Sequence, residues 1–194
     1  MLKHLFNEKK AAQAAAYFLF RSGKPLSVLK LMKLMYLAER RSFAKFGEPM
    51  MGDLLVSMDH GPVLSRTYNH MNGNRHSVEK GWEHWIADRA GHDLALRHPK
   101  ALRSPEKDLD QLSDADLSVL EDVWKKFGRM NQWKLRDYTH EHCPEWKDPE
   151  GSMIPMEPEE FFAALKFTPR QRKAAMAKLR AQDRINAAFE SLKD

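Results

Sequence analysis

Ten consecutive residues, Val28 to Leu37 (VLKLMKLMYL), wrap a helix in apolar side chains on almost every side. A helix with no solvated face is stable only when other elements surround it. Whatever this chain folds into must therefore be organised around that segment. Downstream, Gly47 and Pro49 close the helix and a Gly52-Asp53 step follows. Residues 54–58 then read as a short strand, ahead of His60-Gly61-Pro62-Val63. A Gly-Pro pair after a strand marks a stiff turn into the next element. It predicts a helix over residues 63–71, stopped by Asn72-Gly73. With 194 residues, 42% of them hydrophobic, the chain can build one well-cored domain but is short for two.

The flanking elements follow from local signals. Asn7 is placed to cap a first helix running through an alanine-rich stretch to Ser22, with Gly23 as its stop. Ser27 begins the central helix. Residues 82–97 suggest a hairpin about Gly91, and residues 98–111 read as the longest loop. Ser113 and Asp116 have the spacing of a capping box for a helix to Phe127, closed by Gly128. Another helix is expected over 131–140, and five Pro/Gly breaks from Pro144 to Pro158 precede a short one at 159–166. Thr168-Pro169 opens the last helix, which runs to about Leu192. The expected fold is mainly α (α+β), a compact helical domain around a central apolar helix with a small β-hairpin or sheet. Residues 1–166 form the globular body and 167–194 a basic C-terminal helix.

Charge separates those two parts. Of 32 Lys/Arg and 27 Asp/Glu, eight and three fall in residues 166–194, leaving 24 of each elsewhere. The basic excess belongs to the tail, so uniform nucleic-acid binding by the body is unsupported. The single Cys143 excludes an intramolecular disulfide and fits a reducing compartment. Lys9-Lys10 before residues 11–20 imitates a secretory leader. Gln13 interrupts the run, Arg21 ends it, and no small-residue cleavage site follows. No segment approaches the roughly 20 apolar residues of a membrane span. A soluble cytoplasmic protein without membrane contact is expected.

The block Lys33-Leu34, Tyr36-Leu37, Gly47, Asp53 and Gly61-Pro62-Val63 resembles the Panacea domain family, which includes SocA-like antitoxins. Thr139-His140, Pro144 and Trp146 resemble the family's later segment, so the likeness spans roughly residues 7–147. That resemblance implies a mostly helical domain that neutralises a protein toxin by binding it, and in the SocA case hands it to a protease. The implied partners are a cognate toxin encoded in the same operon and a AAA+ protease. No cofactor is implied.

Three chemical readings compete with that one. Asp53, His60 and His140 suggest the acid–base cluster of a small hydrolase or transferase. No Gly-x-Ser-x-Gly elbow or helix-preceding cysteine supplies a nucleophile. The plainer expectation is that Asp53 and His60 pin the strand and turn through backbone hydrogen bonds. His140, His142 and Cys143 crowd three metal-ligating types together without the spaced second pair that structural zinc uses, so no metal site is assigned. Lys30, Lys33, Arg40 and Arg41 share one side of the central helix as a possible basic strip. Lys33, amid apolar neighbours, needs a carboxylate, and Asp53 is the expected one. In the last helix, Ala174, Ala177, Ala181, Ile185, Ala188 and Leu192 recur at steps of three or four, widened by Phe189 and flanked by Arg180 and Arg184. That seam is the candidate for docking a partner, for packing on the body, or for a DNA-associated regulator. Interleaved aromatics and a helix-turn-helix are both missing from it.

Overall fold

In the computed structural model, which describes residues 2–192, the central helix is enclosed as its sequence demands. The order is α1 (Glu8–Ser22), β1 (Leu26–Ser27), α2 (Val28–Phe46), β2 (Leu55–Met58), β3 (Gly61–Leu64), α3 (Ser65–Met71) and α4 (Trp82–Trp85). β4 (Asp93–Leu94), α5 (Pro105–Asp108), α6 (Asp114–Phe127), α7 (Gln132–His142), β5 (Ile154–Pro155), α8 (Pro158–Ala164) and α9 (Pro169–Ser191) follow. The fold is mainly helical, and the described residues form two small antiparallel sheets, β1-β4 and β3-β2-β5.

Capping sets the helix ends. Asn7, Ser27, Asn131 and Thr168 each accept a backbone N–H from the first turn of α1, α2, α7 and α9. Ser113 and Asp116 form the reciprocal box at α6. Gly23 and Gly47 take left-handed φ values of 64° and 71° at the ends of α1 and α2, a conformation that costs glycine little. Five alanines of α1 are fully buried. Their small side chains let α1 lie close against α2, α4 and α6, while α2 also packs on α6, α7 and β3. Every residue from Leu31 to Glu39 of α2 is buried. No helix among the described residues is long and apolar enough to cross a membrane.

Two local expectations are corrected. Residues 63–71 are not one helix, because Gly61 to Leu64 form β3 and the helix begins only at Ser65. The turn is Asp59-His60, a two-residue link with Met58 opposite Gly61. Pro62, lacking an N–H, is tolerated because β3 is an edge strand. The hairpin about Gly91 does form, with Ala90 and Asp93 exchanging hydrogen bonds of 3.0 Å. Its first arm, however, starts as the helical turn α4.

The last helix packs on the body through a face other than the one its spacing singles out. α9 buries Ala175, Met176 and Leu179 against the body. The stripe picked out by its spacing points the other way, with Ile185, Phe189 and Leu192 exposed. The C-terminal half of α9 is tied to the N-terminal segment. The N–H of His4 donates to Asp183 at 2.7 Å, and the Asn186 amide donates to the His4 carbonyl at 2.7 Å.

Candidate functional site

Beneath the β2–β3 hairpin, α2 and α7 bring together most of the motif residues. Lys33 is fully buried, and its ammonium donates to the Pro62 carbonyl at 2.8 Å. The expected Lys33–Asp53 pair is absent, and no carboxylate pairs with Lys33 among the described residues. Burial pushes its pKa down to about 7. Gly61 sits directly above it with φ 92°. A Cβ there would lie 2.8 Å from Thr139 Oγ1, 3.0 Å from Lys33 Nζ and 3.1 Å from His140 Nε2. That nitrogen of His140 is buried without a hydrogen-bond partner among the described residues. Burial, then the charges of Lys33 and Arg136, hold the His140 pKa below its ordinary value. The ring stacks on Trp146 at 3.9 Å and 8° between planes. The Trp146 indole in turn donates to the Met58 carbonyl at 3.0 Å. The motif residues thus clamp the hairpin between α2 and the segment after α7.

One turn along α2, the Tyr36 hydroxyl donates to Glu145, which also accepts from Arg40 Nε at 2.6 Å. Burial and the neighbouring Glu145 carboxylate raise the Tyr36 pKa. Cys143, beside this group, is pushed up to about 12 by burial and by Glu145. It is therefore a neutral thiol near pH 7, because burial and Glu145 outweigh the opposing charges of Arg40 and Lys33. Glu145 is nearly buried and Arg40 supplies its counter-charge. The basic strip inferred on α2 accordingly dissolves. Lys33 is core, Lys30 donates to the Gly128 carbonyl at 2.8 Å, Arg40 holds Glu145, and Arg41 pairs with Asp122 at 3.1 Å.

Asp53 has a different task. Its carboxylate accepts from the backbone N–H groups of Leu54, Arg66 and Thr67 and from the Thr67 hydroxyl, all within 2.9 Å. α3 has no capping side chain at its own N-cap, Leu64. Asp53 caps it from the irregular segment just before β2. Burial raises the Asp53 pKa against the pull of these four bonds. His60, expected to act alongside it, is exposed at the hairpin tip and has no side-chain hydrogen bond among the described residues. Asp53→Ala is therefore expected to cost about 3 kcal/mol, the sum of a lost cap and stranded buried donors. His60→Ala should stay within about 0.5 kcal/mol of wild type. Urea denaturation of both variants checks this, and equal losses would contradict the assignment.

Sequence reasoning passed over Glu39. It is fully buried on α2, and its two oxygens accept from the N–H groups of Met50, Met51 and Gly52, each at 2.8 Å. A lone carboxylate inside an apolar helix was the available signal, because buried charge must find donors. No hydrogen bond joins Asp53, His60 and His140 among the described residues. Asp53 is saturated at α3, His60 faces outward, and His140 lies under Gly61. Likewise, His140 stacks on Trp146, His142 meets the edge of Tyr138, and Cys143 is buried.

On the far side, α9 carries the remaining candidates. Arg180 pairs with Glu159 at 3.1 Å and Lys178 pairs with Glu48. Arg184 is exposed, and Ile185 and Phe189 are 49% and 63% exposed. The clamp and the outer face of α9 are separate features.

No curated protein and no solved structure matches this chain. A family model described as "Antitoxin SocA-like, Panacea domain" matches residues 31–147, more than half of the chain. The match runs from the core of α2 to the residue after Trp146 and so takes in Lys33, Gly61, Thr139, His140 and their clamp. The chain belongs to the family of SocA-like antitoxins with a Panacea domain.

Proposed function

We propose that this protein neutralises a toxic protein encoded in the same operon by direct, stoichiometric binding in the cytoplasm, and that it does so without catalysis. The family match across the hairpin clamp carries this reading. The geometry agrees with it. The polar groups of the clamp are spent on holding α2, the hairpin and the 143–147 segment together, the work of a rigid binding scaffold. The hydrolase or transferase reading loses its support because Asp53 caps α3, His140 stacks on Trp146, and His60 is an exposed tip residue bonded to neither among the described residues. Delivery of the toxin to a AAA+ protease is an accessory mode that the same complex permits.

Induction of the adjacent reading frame alone should arrest growth, and co-expression of this chain should restore it. The two purified proteins should elute together as a complex. Toxin abundance then separates the modes, because occlusion leaves it unchanged whereas delivery lowers it only in cells with an active protease. A harmless neighbouring product, or a toxic one that this chain neither binds nor relieves, would count against the reading.

A further inference from the structure

α9 carries two apolar stripes on opposite faces, and the body uses only one of them. At 100° per residue, Ala175, Met176, Leu179, Asp183 and Asn186 fall on one side, where they pack on the body or bond to the N-terminal segment. Ala174, Ala177, Ala181, Ile185, Ala188 and Leu192 fall on the opposite side. Ile185 and Leu192 are 49% and 80% exposed there, and Phe189 flanks them. The stripe spans about 27 Å at a helical rise of about 1.5 Å per residue. It is straight and narrow, and its alanines admit close approach of another backbone. Phe189 also borders a cleft of about 940 Å³ between α9, the N-terminal segment and residues 75–79.

Charge identifies what fits this face. One flank holds Lys173, Arg180 and Arg184, the other Gln171, Lys178 and Gln182, and Arg170 lies at its start. Neither flank holds a carboxylate. Arg180 and Lys178 are paired to the body. Among the described residues, Arg170, Lys173 and Arg184 pair with none. A second copy of α9 laid on this face, parallel or antiparallel, would set basic or neutral flanks against basic ones. A partner helix with an apolar seam and acidic flanks meets both the stripe and the uncompensated charge. We infer that the outer face of α9 is the docking surface for an acidic amphipathic helix of a partner protein. This rests on the antitoxin reading for the partner's identity, the toxin, though not for the chemistry of the face.

The test uses the full chain with two labelled helical peptides that share a Leu/Ala seam, one flanked by glutamates and one by lysines. The glutamate peptide is expected to bind, more weakly as salt rises, while the lysine peptide does not. Ile185→Asp with Phe189→Asp should weaken binding at least about thirtyfold at an unchanged melting temperature, since both side chains are exposed. Lys173→Glu with Arg184→Glu, which disturbs no ion pair among the described residues, should weaken it about tenfold and flatten the salt dependence. Failure of the glutamate peptide to bind, or its undiminished binding to the seam variant, would overturn the inference. So would self-association of the chain that the seam variant abolishes, or duplex DNA binding that the seam variant leaves intact. Growth rescue distinguishes the two readings. A seam variant that still rescues removes the docking face and leaves the antitoxin reading standing. A wild type that binds the glutamate peptide but relieves no neighbouring toxin does the reverse.

Discussion

Glu39→Ala is expected to remove about 4 kcal/mol of stability, much of what a domain of this size holds in total. The carboxylate accepts three backbone N–H groups, from Met50, Met51 and Gly52, at the bend between α2 and β2. Met50 and Met51 are themselves buried. Deleting the acceptor strands those donors in an apolar setting, each at about 1–3 kcal/mol, and leaves a void in α2. Equilibrium urea denaturation reads the loss, and a cost below about 1 kcal/mol would mean that water replaces the carboxylate. A pH signature accompanies it. Burial, opposed by the three N–H donors, pushes the Glu39 pKa up from 4.5 to about 7. A folded-state pKa above the unfolded one means that this group's contribution is fully present below about 4.5. It is lost as pH rises through about 7. The stability difference between wild type and Glu39→Gln, a neutral isostere, should therefore shift against wild type across that window.

Gly61→Val should be nearly as damaging, at about 3–4 kcal/mol. At φ 92° a β-branched residue is strained whatever the surrounding space. Here there is also no space, since the first added carbon meets Thr139, Lys33 and His140 at 2.8–3.1 Å. Lys33 is held by Pro62 and His140 by its stack on Trp146, so neither neighbour yields without opening the clamp. The displaced Trp146 should report this as a shift in fluorescence alongside the lower melting temperature. Arg66→Ala is the control. Its side chain is partly exposed, donates to the Lys3 carbonyl at 2.8 Å and lies over Phe6. Its loss should cost about 1 kcal/mol or less. Equal melting temperatures for the two variants would refute the placement of Gly61 over the clamp.

These two sites differ in how far the chain announces them. Gly61-Pro62 stands out in the sequence, yet its local pattern suggested a turn into a helix. What makes Gly61 indispensable is the arrival of α7, whose Thr139 and His140 fill the space over its α-carbon. Glu39 was visible only as a charge in an apolar run, and its partners lie 11 to 13 positions onward in a segment with no regular structure. Asp53 was expected to bond with backbone groups and does. That it caps α3 depends on N–H groups 13 and 14 positions away, brought within reach by the hairpin.

The enclosed central helix and most helix ends are legible from residue types alone. The caps at Asn7, Ser27, Ser113 and Thr168 are bonds closed within three residues, so neighbouring residue types specify them without reference to the rest of the chain. The apolar run of α2 likewise required burial whatever surrounded it. The polar partnerships depend on the folded arrangement instead, because Lys33 with Pro62 and Tyr36 with Glu145 join residues far apart in the chain. So does the choice of which stripe of α9 faces inward. Both stripes have helical spacing, so periodicity alone does not rank them. The contacts with α8 and the N-terminal segment do, burying Met176 and Leu179 and turning Ile185 outward.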